Sequence, residues 1–105
     1  MVIYTNKFLN DLQNASNYII DTFNDHQSAG RLVNKALDSL DKEAEYISLI
    51  RRQTLLKVNN HIYYRLNIDK HVAIYTIRSN DLVAEFFCHS SQDIQRHITK
   101  HSNMS

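Results

Sequence analysis

The side chains best suited to chemistry are His89, Glu85 and Arg65, with Lys57, Tyr63 and Tyr75 nearby. An imidazole with an ordinary pKa of about 6.5 suits proton transfer, and His89 stands at the end of an apolar run. The competing reading is a histidine that hydrogen-bonds a sheet edge. Glu85 offers a base or an exposed edge charge, and Arg65 with Lys57 offers a phosphate contact or a solvated strand face. Tyr63 and Tyr75 could stack on bases, although strand tyrosines serve more often in packing. Arg51-Arg52 reads as a solvated loop that could add to a nucleic-acid or protein-binding surface. His97 and His101 have the i, i+4 spacing of metal ligands but no third ligand in register, so neither a metal nor a cofactor is expected.

These residues need a frame, and the stretch HIYYRLNIDKHVAIYTIRSNDLVAEFFCH, residues 61–89, supplies it. Ile62, Tyr64, Leu66 and Ile68 alternate with Tyr63, Arg65 and Asn67, the period of a half-buried strand. Asp69-Lys70 and Ser79-Asn80-Asp81 break the pattern with residues that tolerate tight turns. Three antiparallel strands follow, with Glu85, Phe87 and His89 expected on one side of the last. Thr54–Val58 is a further strand candidate, joined through Asn59-Asn60.

Upstream, Val2-Ile3-Tyr4-Thr5 could be a short first strand, with Thr5 or Asn6 capping a helix. Phe8, Leu12, Ala15 and Ile19 form its apolar face, widened by Leu9, Ile20 and Phe23. A second helix is predicted from about His26 towards Ile47 or Leu49, on Ala29, Val33, Ala36, Leu40 and Ala44. Gly30 within it is unfavourable by about 1 kcal/mol relative to Ala, which a close helix–helix approach would explain. Gln92 to Lys100 reads as a short terminal helix with Ile94 and Ile98 as its apolar pair. The result is an α+β fold. An N-terminal strand and helix hairpin pack on a three- or four-stranded antiparallel sheet, with a short C-terminal helix, in a single domain over 1–105.

Composition narrows the function classes. A net charge of +1 gives no global basic footprint, so any nucleic-acid surface must gather its cations locally. One cysteine, Cys88, excludes an internal disulfide and suits a small buried thiol. The start MVIYTNKFLNDL lacks the basic flank and apolar core of a secretory signal, and no run is long enough to span a bilayer. A soluble cytoplasmic protein is expected.

Three segments resemble the RelE/ParE toxin superfamily of type II toxin–antitoxin systems. KFLNDLQNASNYIIDTF followed by SAGRLVNKALDSL resembles its helix hairpin, YYRLNI with HVAIYTI its central strand pair, and FFCHSSQDI its last strand and ending. The likeness runs from Ile3 to about Ile98. RelE-like members cleave messenger RNA on the ribosome, whereas ParE-like members inhibit DNA gyrase and need no catalytic centre. Both are neutralised by an antitoxin that wraps the toxin, so a toxin–antitoxin hetero-oligomer is implied. The resemblance makes Arg65, His89 and Glu85 catalytic if the chain is RelE-like. Lys57, Arg65, Tyr63, Arg51 and Arg52 become target-binding candidates, and Ile94 and Ile98 a candidate antitoxin-binding pair.

Two departures weigh against the ribonuclease reading. His71-Val72 and Ser90-Ser91-Gln92 stand where ribonuclease members carry Arg or Lys. Attack by a 2′-hydroxyl needs a base, an acid and cationic stabilisation of the extra charge, and two cationic positions are missing. The reading therefore leans to a ParE-like gyrase inhibitor. The alternatives are a RelE-like ribosome-dependent endoribonuclease and an inactive member that only binds its antitoxin.

Overall fold

A computed structural model describes residues 1–46, 61–91, 94, 96, 98 and 99, with the backbone alone over 54–58. The chain opens with β1 (Val2–Tyr4), α1 (Asn6–Phe23) and α2 (His26–Glu45). The strands β2 (Thr54–Val58), β3 (His61–Ile68), β4 (His71–Arg78) and β5 (Asp81–His89) follow. They form one five-stranded sheet in the order β1-β5-β4-β3-β2. β2 to β5 are an antiparallel meander, while β1 joins the outer edge parallel to β5, with Val2 opposite Leu82 and Tyr4 opposite Ala84. A parallel pairing needs a long crossover. The two helices lie within the chain that joins β1 to β5. The N-terminal strand is thus a sheet member that makes the sheet mixed.

The helices start where their caps dictate. The Thr5 hydroxyl accepts from the Phe8 N–H at 3.1 Å and donates to the Ala84 carbonyl at 3.0 Å, joining the α1 start to β5. Asn24 ends α1 in the left-handed region at φ 52°, and Asp25 caps α2 by accepting from the Ser28 N–H at 2.9 Å. The second helix ends at Glu45; Ile47 and Leu49 lie outside the described residues.

Two-residue turns set the meander's register. Ile68 pairs with His71 and Arg78 with Asp81. Asp69 sits at φ 54°, and Ser79 and Asn80 at 51° and 68°, so Asp, Ser and Asn take left-handed positions where glycine is the usual choice. The turn at Asn59-Asn60 lies outside the described residues.

One face of the sheet meets the helices. Phe8, Leu12, Leu32, Ala36 and Leu40 pack against Ile68, Ala73, Tyr75, Leu82, Ala84 and Phe87. Ala15 and Ile19 add partial burial to the α1 stripe. Leu9 and Phe23, expected to widen it, are instead 45% and 67% exposed, because α1 turns their side of the helix away from the sheet. Gly30 is also not as expected. A methyl group there would meet nothing within 4 Å, so no close helix approach accounts for it.

The opposite face is buried too. Tyr63, Val72, Ile74, Phe86 and Cys88 form a second cluster with Ile94 and Ile98. Of the predicted terminal helix, Ile94, Arg96, Ile98 and Thr99 are described, and all four are helical.

Candidate functional site

The decisive local feature is a β-bulge in β5. Ile74 pairs with Phe86 but Tyr75 pairs with Ala84, which leaves Glu85 as the extra residue. Past an extra residue the side-chain alternation changes phase. Leu82 and Ala84 face the helices before the bulge, and Phe87 faces them after it. His89 follows Phe87 two positions on. Its partner His71 lies flat against Phe87, ring centroids 5.1 Å apart and 5° between planes.

The expected grouping of Glu85, Phe87 and His89 on one side is therefore corrected. Glu85 stays on the other face, where its carboxylate accepts from the Thr76 hydroxyl at 2.9 Å and meets Arg78 at 3.4 Å. Arg65 shares that other face, since its cross-strand partner is Ile74 of the second cluster. The Arg65 guanidinium donates to Asn67 Oδ1 at 3.0 Å, and its Nε is buried without a partner among the described residues. Arg65 and Glu85 thus stand on one side of the sheet and His89 on the other. A proton-transfer group and a charge-stabilising group must converge on one reacting centre. These do not.

The tyrosines are packing residues. Tyr63 is 7% exposed in the second cluster. Tyr75 is fully buried, stacks on Tyr64 and donates from its hydroxyl to Glu43 Oε2 at 2.6 Å, so it has no face for a base. Ile94 and Ile98 are 7% and 0% exposed, so the chain by itself does not present them as an open apolar surface. The Lys57 side chain, Arg51, Arg52, His97 and His101 lie outside the described residues. Among the described residues no cluster of three or more His, Cys, Asp or Glu could hold a metal.

On the helix side the sheet does open into clefts. His71, at the start of β4, and His89, at the end of β5, meet edge to face at 5.3 Å. One cleft of 580 Å³ has Asp11, Ala15, Tyr18, His71, Phe87 and His89 in its lining. Asp11 is held there by Lys7 and by the Phe87 N–H at 3.1 Å, a donor at the sheet edge beyond the reach of β1. A second cleft of 720 Å³, between α1, α2 and the Asp69-Lys70 turn, has Ile19, Arg31, Leu32, Lys35, Lys70 and His71 in its lining.

Charge at this end follows from burial. Burial, and then the neighbouring His89, hold the His71 pKa below its ordinary value, against a smaller opposing pull from Asp69. Burial, with Asp11 behind it, pushes the Cys88 thiol up, as suits an inert thiol rather than a nucleophile. Sequence reasoning missed the His71–His89 pair as a site. The two-residue turn at Ser79-Asn80 could have found it only with the bulge counted in. Asp11 carried no local signal, being one polar residue among many on α1.

A β1–α1–α2 segment followed by an antiparallel meander, with β1 added parallel to the last strand, defines an α+β architecture. The family described as the ParE toxin of type II toxin–antitoxin systems, parDE, matches residues 2–94, and the chain belongs to that family. No curated protein matches it. Membership makes it a type II toxin–antitoxin toxin and implies a cognate antitoxin as partner. Among the described residues no helix is long and apolar enough to cross a membrane.

Proposed function

We propose that the chain arrests growth by binding a protein target in the cytoplasm, DNA gyrase being the target of the ParE-like mode, and that the antitoxin relieves this by binding the toxin. The observation that carries this reading is the separation of His89 from Arg65 and Glu85 by the bulge at Glu85. With the acid–base candidate on the helix side and the cation on the other, the ribonuclease mechanism has no shared centre among these residues. Glu85 is in addition engaged by Thr76 and Arg78. A binder needs no such centre. Its requirement is a stable scaffold with surface left over, and the two-sided core and the helix-side clefts meet it.

Induced expression without the antitoxin, followed by labelled precursor incorporation, tests the mode of arrest. An early fall in DNA synthesis with filamentous cells is expected. Purified toxin added to purified gyrase is expected to reduce supercoiling or trap cleavage complexes. An early fall in protein synthesis with DNA synthesis intact would replace this reading with ribosome-dependent cleavage.

A further inference from the structure

Two imidazoles meet where β4 begins and β5 ends, and a separate device holds each ring. His71 lies flat on the Phe87 ring at 5.1 Å, and His89 stands edge to face with His71 at 5.3 Å. The His89 Nδ1 accepts from the Ser91 N–H at 3.1 Å and lies 2.7 Å from the Ser91 hydroxyl oxygen, so both contacts fall on one nitrogen and leave Nε2 out. The backbone beneath the rings is tied. His71 pairs directly with His89, and the Ser90 N–H donates to the Lys70 carbonyl at 2.8 Å. Among the described residues no hydrogen bond engages the His71 ring. The cleft that the two histidines share has one carboxylate in its lining, Asp11, and no lysine or arginine among the described residues. The cations Arg31, Lys35 and Lys70 line the other cleft that His71 borders.

We propose that His71 and His89 together chelate a divalent transition-metal ion of the Zn²⁺ class, with water completing its coordination, and that the ion braces the start of β4 to the end of β5. Imidazole nitrogens hold such an ion at about 2.0–2.1 Å. With that bond length, two rings sharing one ion at a near-tetrahedral angle have centroids about 5 Å apart. The pair already stands at 5.3 Å, so the chelate asks for turns of the rings and no shift of the strands. The Ser91 hydroxyl can reverse its role. When Nδ1–H donates to the Ser91 oxygen, the Nε2 lone pair of His89 is released to the ion. Neutral imidazole is the ligating form, and burial favours that form of His71. Imidazole selects Zn²⁺, Ni²⁺ and Cu²⁺ over Mg²⁺, which prefers oxygen ligands. Two protein ligands make an exchangeable site, weaker than the closed four-ligand kind. The site is independent of the target that the toxin binds.

Calorimetric titration of the full chain with zinc chloride tests this. It is done in a His97→Gln/His101→Gln background, so that the pair with i, i+4 spacing in the sequence cannot contribute. One ion per chain is expected to bind, and magnesium chloride is expected to give no binding heat. Losing a group that merely orients a ligand weakens metal sites by tenfold or more, so His71→Gln and His89→Gln must each weaken zinc binding by at least about tenfold. Zinc is also expected to raise the thermal midpoint of the background chain, and to leave that of its His89→Gln variant unchanged. No zinc binding in the background chain would overturn the proposal, as would unchanged affinity in either histidine variant or equal binding of magnesium. His89 is exposed, so its variant is expected to fold. Should the half-buried His71→Gln fail to fold, zinc-induced shifts of both imidazole resonances in the background chain take its place, and a His71 resonance that zinc leaves unmoved would overturn the chelate. None of these measurements reads growth arrest, so their failure leaves the toxin reading standing.

Discussion

The rings of His71 and His89 stand edge to face on paired positions of β4 and β5, 5.3 Å apart, with Phe87 stacked beneath the first. The groups around His71 are His89 on β5, Asp11 on α1, Arg31 and Lys35 on α2, and Asp69 and Lys70 in the turn. Burial and His89 lower the His71 pKa below 6.5, so the folded chain resists its protonation. Between the folded value and about 6.5 the unfolded chain binds more protons, and stability there rises with pH. The His71 contribution is therefore whole above about 6.5 and is lost as the pH falls through its folded value. Urea midpoints at pH 7.5 and 5.5 are expected to drop less on acidification in His71→Gln than in the wild type. An equal drop in both would show that His71 does not drive the acid loss.

Opposite faces of the sheet hold Arg65 and His89, and that geometry sets the outcome of their substitution. Arg65→Ala and His89→Ala are each expected to keep growth arrest as strong as the wild type's, measured by growth curves after induction. Arrest lost in both variants, with folded protein present in the cell, would return the ribonuclease reading to first place.

The Thr5 hydroxyl caps α1 and donates to the Ala84 carbonyl of β5. Thr5→Ala is expected to lower stability by about 1–2 kcal/mol, since it removes both the cap and the tie to the sheet. Thr5→Ser keeps the oxygen and should recover most of that loss in a urea titration. A Ser variant no better than Ala would mean that the threonine methyl, not the hydroxyl, supplies the stabilisation.

Gly30 is exposed on α2 with open space where a methyl would stand. Gly30→Ala is expected to stabilise by about 0.4–1 kcal/mol, chiefly by reducing the freedom of the unfolded chain. Thermal unfolding should show a midpoint a few degrees higher. A lower midpoint would mean that the space around Gly30 is not open to a methyl group.

Local signals were enough for the elements themselves. The capping hydroxyl at Thr5, the period of Phe8, Leu12, Ala29, Ala36 and Leu40, and the alternation through Tyr64, Leu66 and Ile68 all act over a few residues. Asp69-Lys70 marked its turn for the same reason, and Ser79-Asn80-Asp81 marked the next one a residue too long, since Asp81 already pairs with Arg78 as the first residue of β5. The family resemblance carried by these segments led to the family whose model spans residues 2–94.

What lies between distant parts of the chain was decided only in three dimensions. Thr5 could be read as a cap, but its hydrogen bond to the Ala84 carbonyl joins residues 79 apart in the sequence. Leu9 and Phe23 have apolar side chains, and only the docking angle of α1 left them in water. Above all, the extra residue at Glu85 shifted the phase of β5 and moved His89 to the helix side. Alternation along a strand is a local rule, whereas a bulge is settled by pairing with a neighbour, so the residues that share a site emerged only once the sheet was assembled.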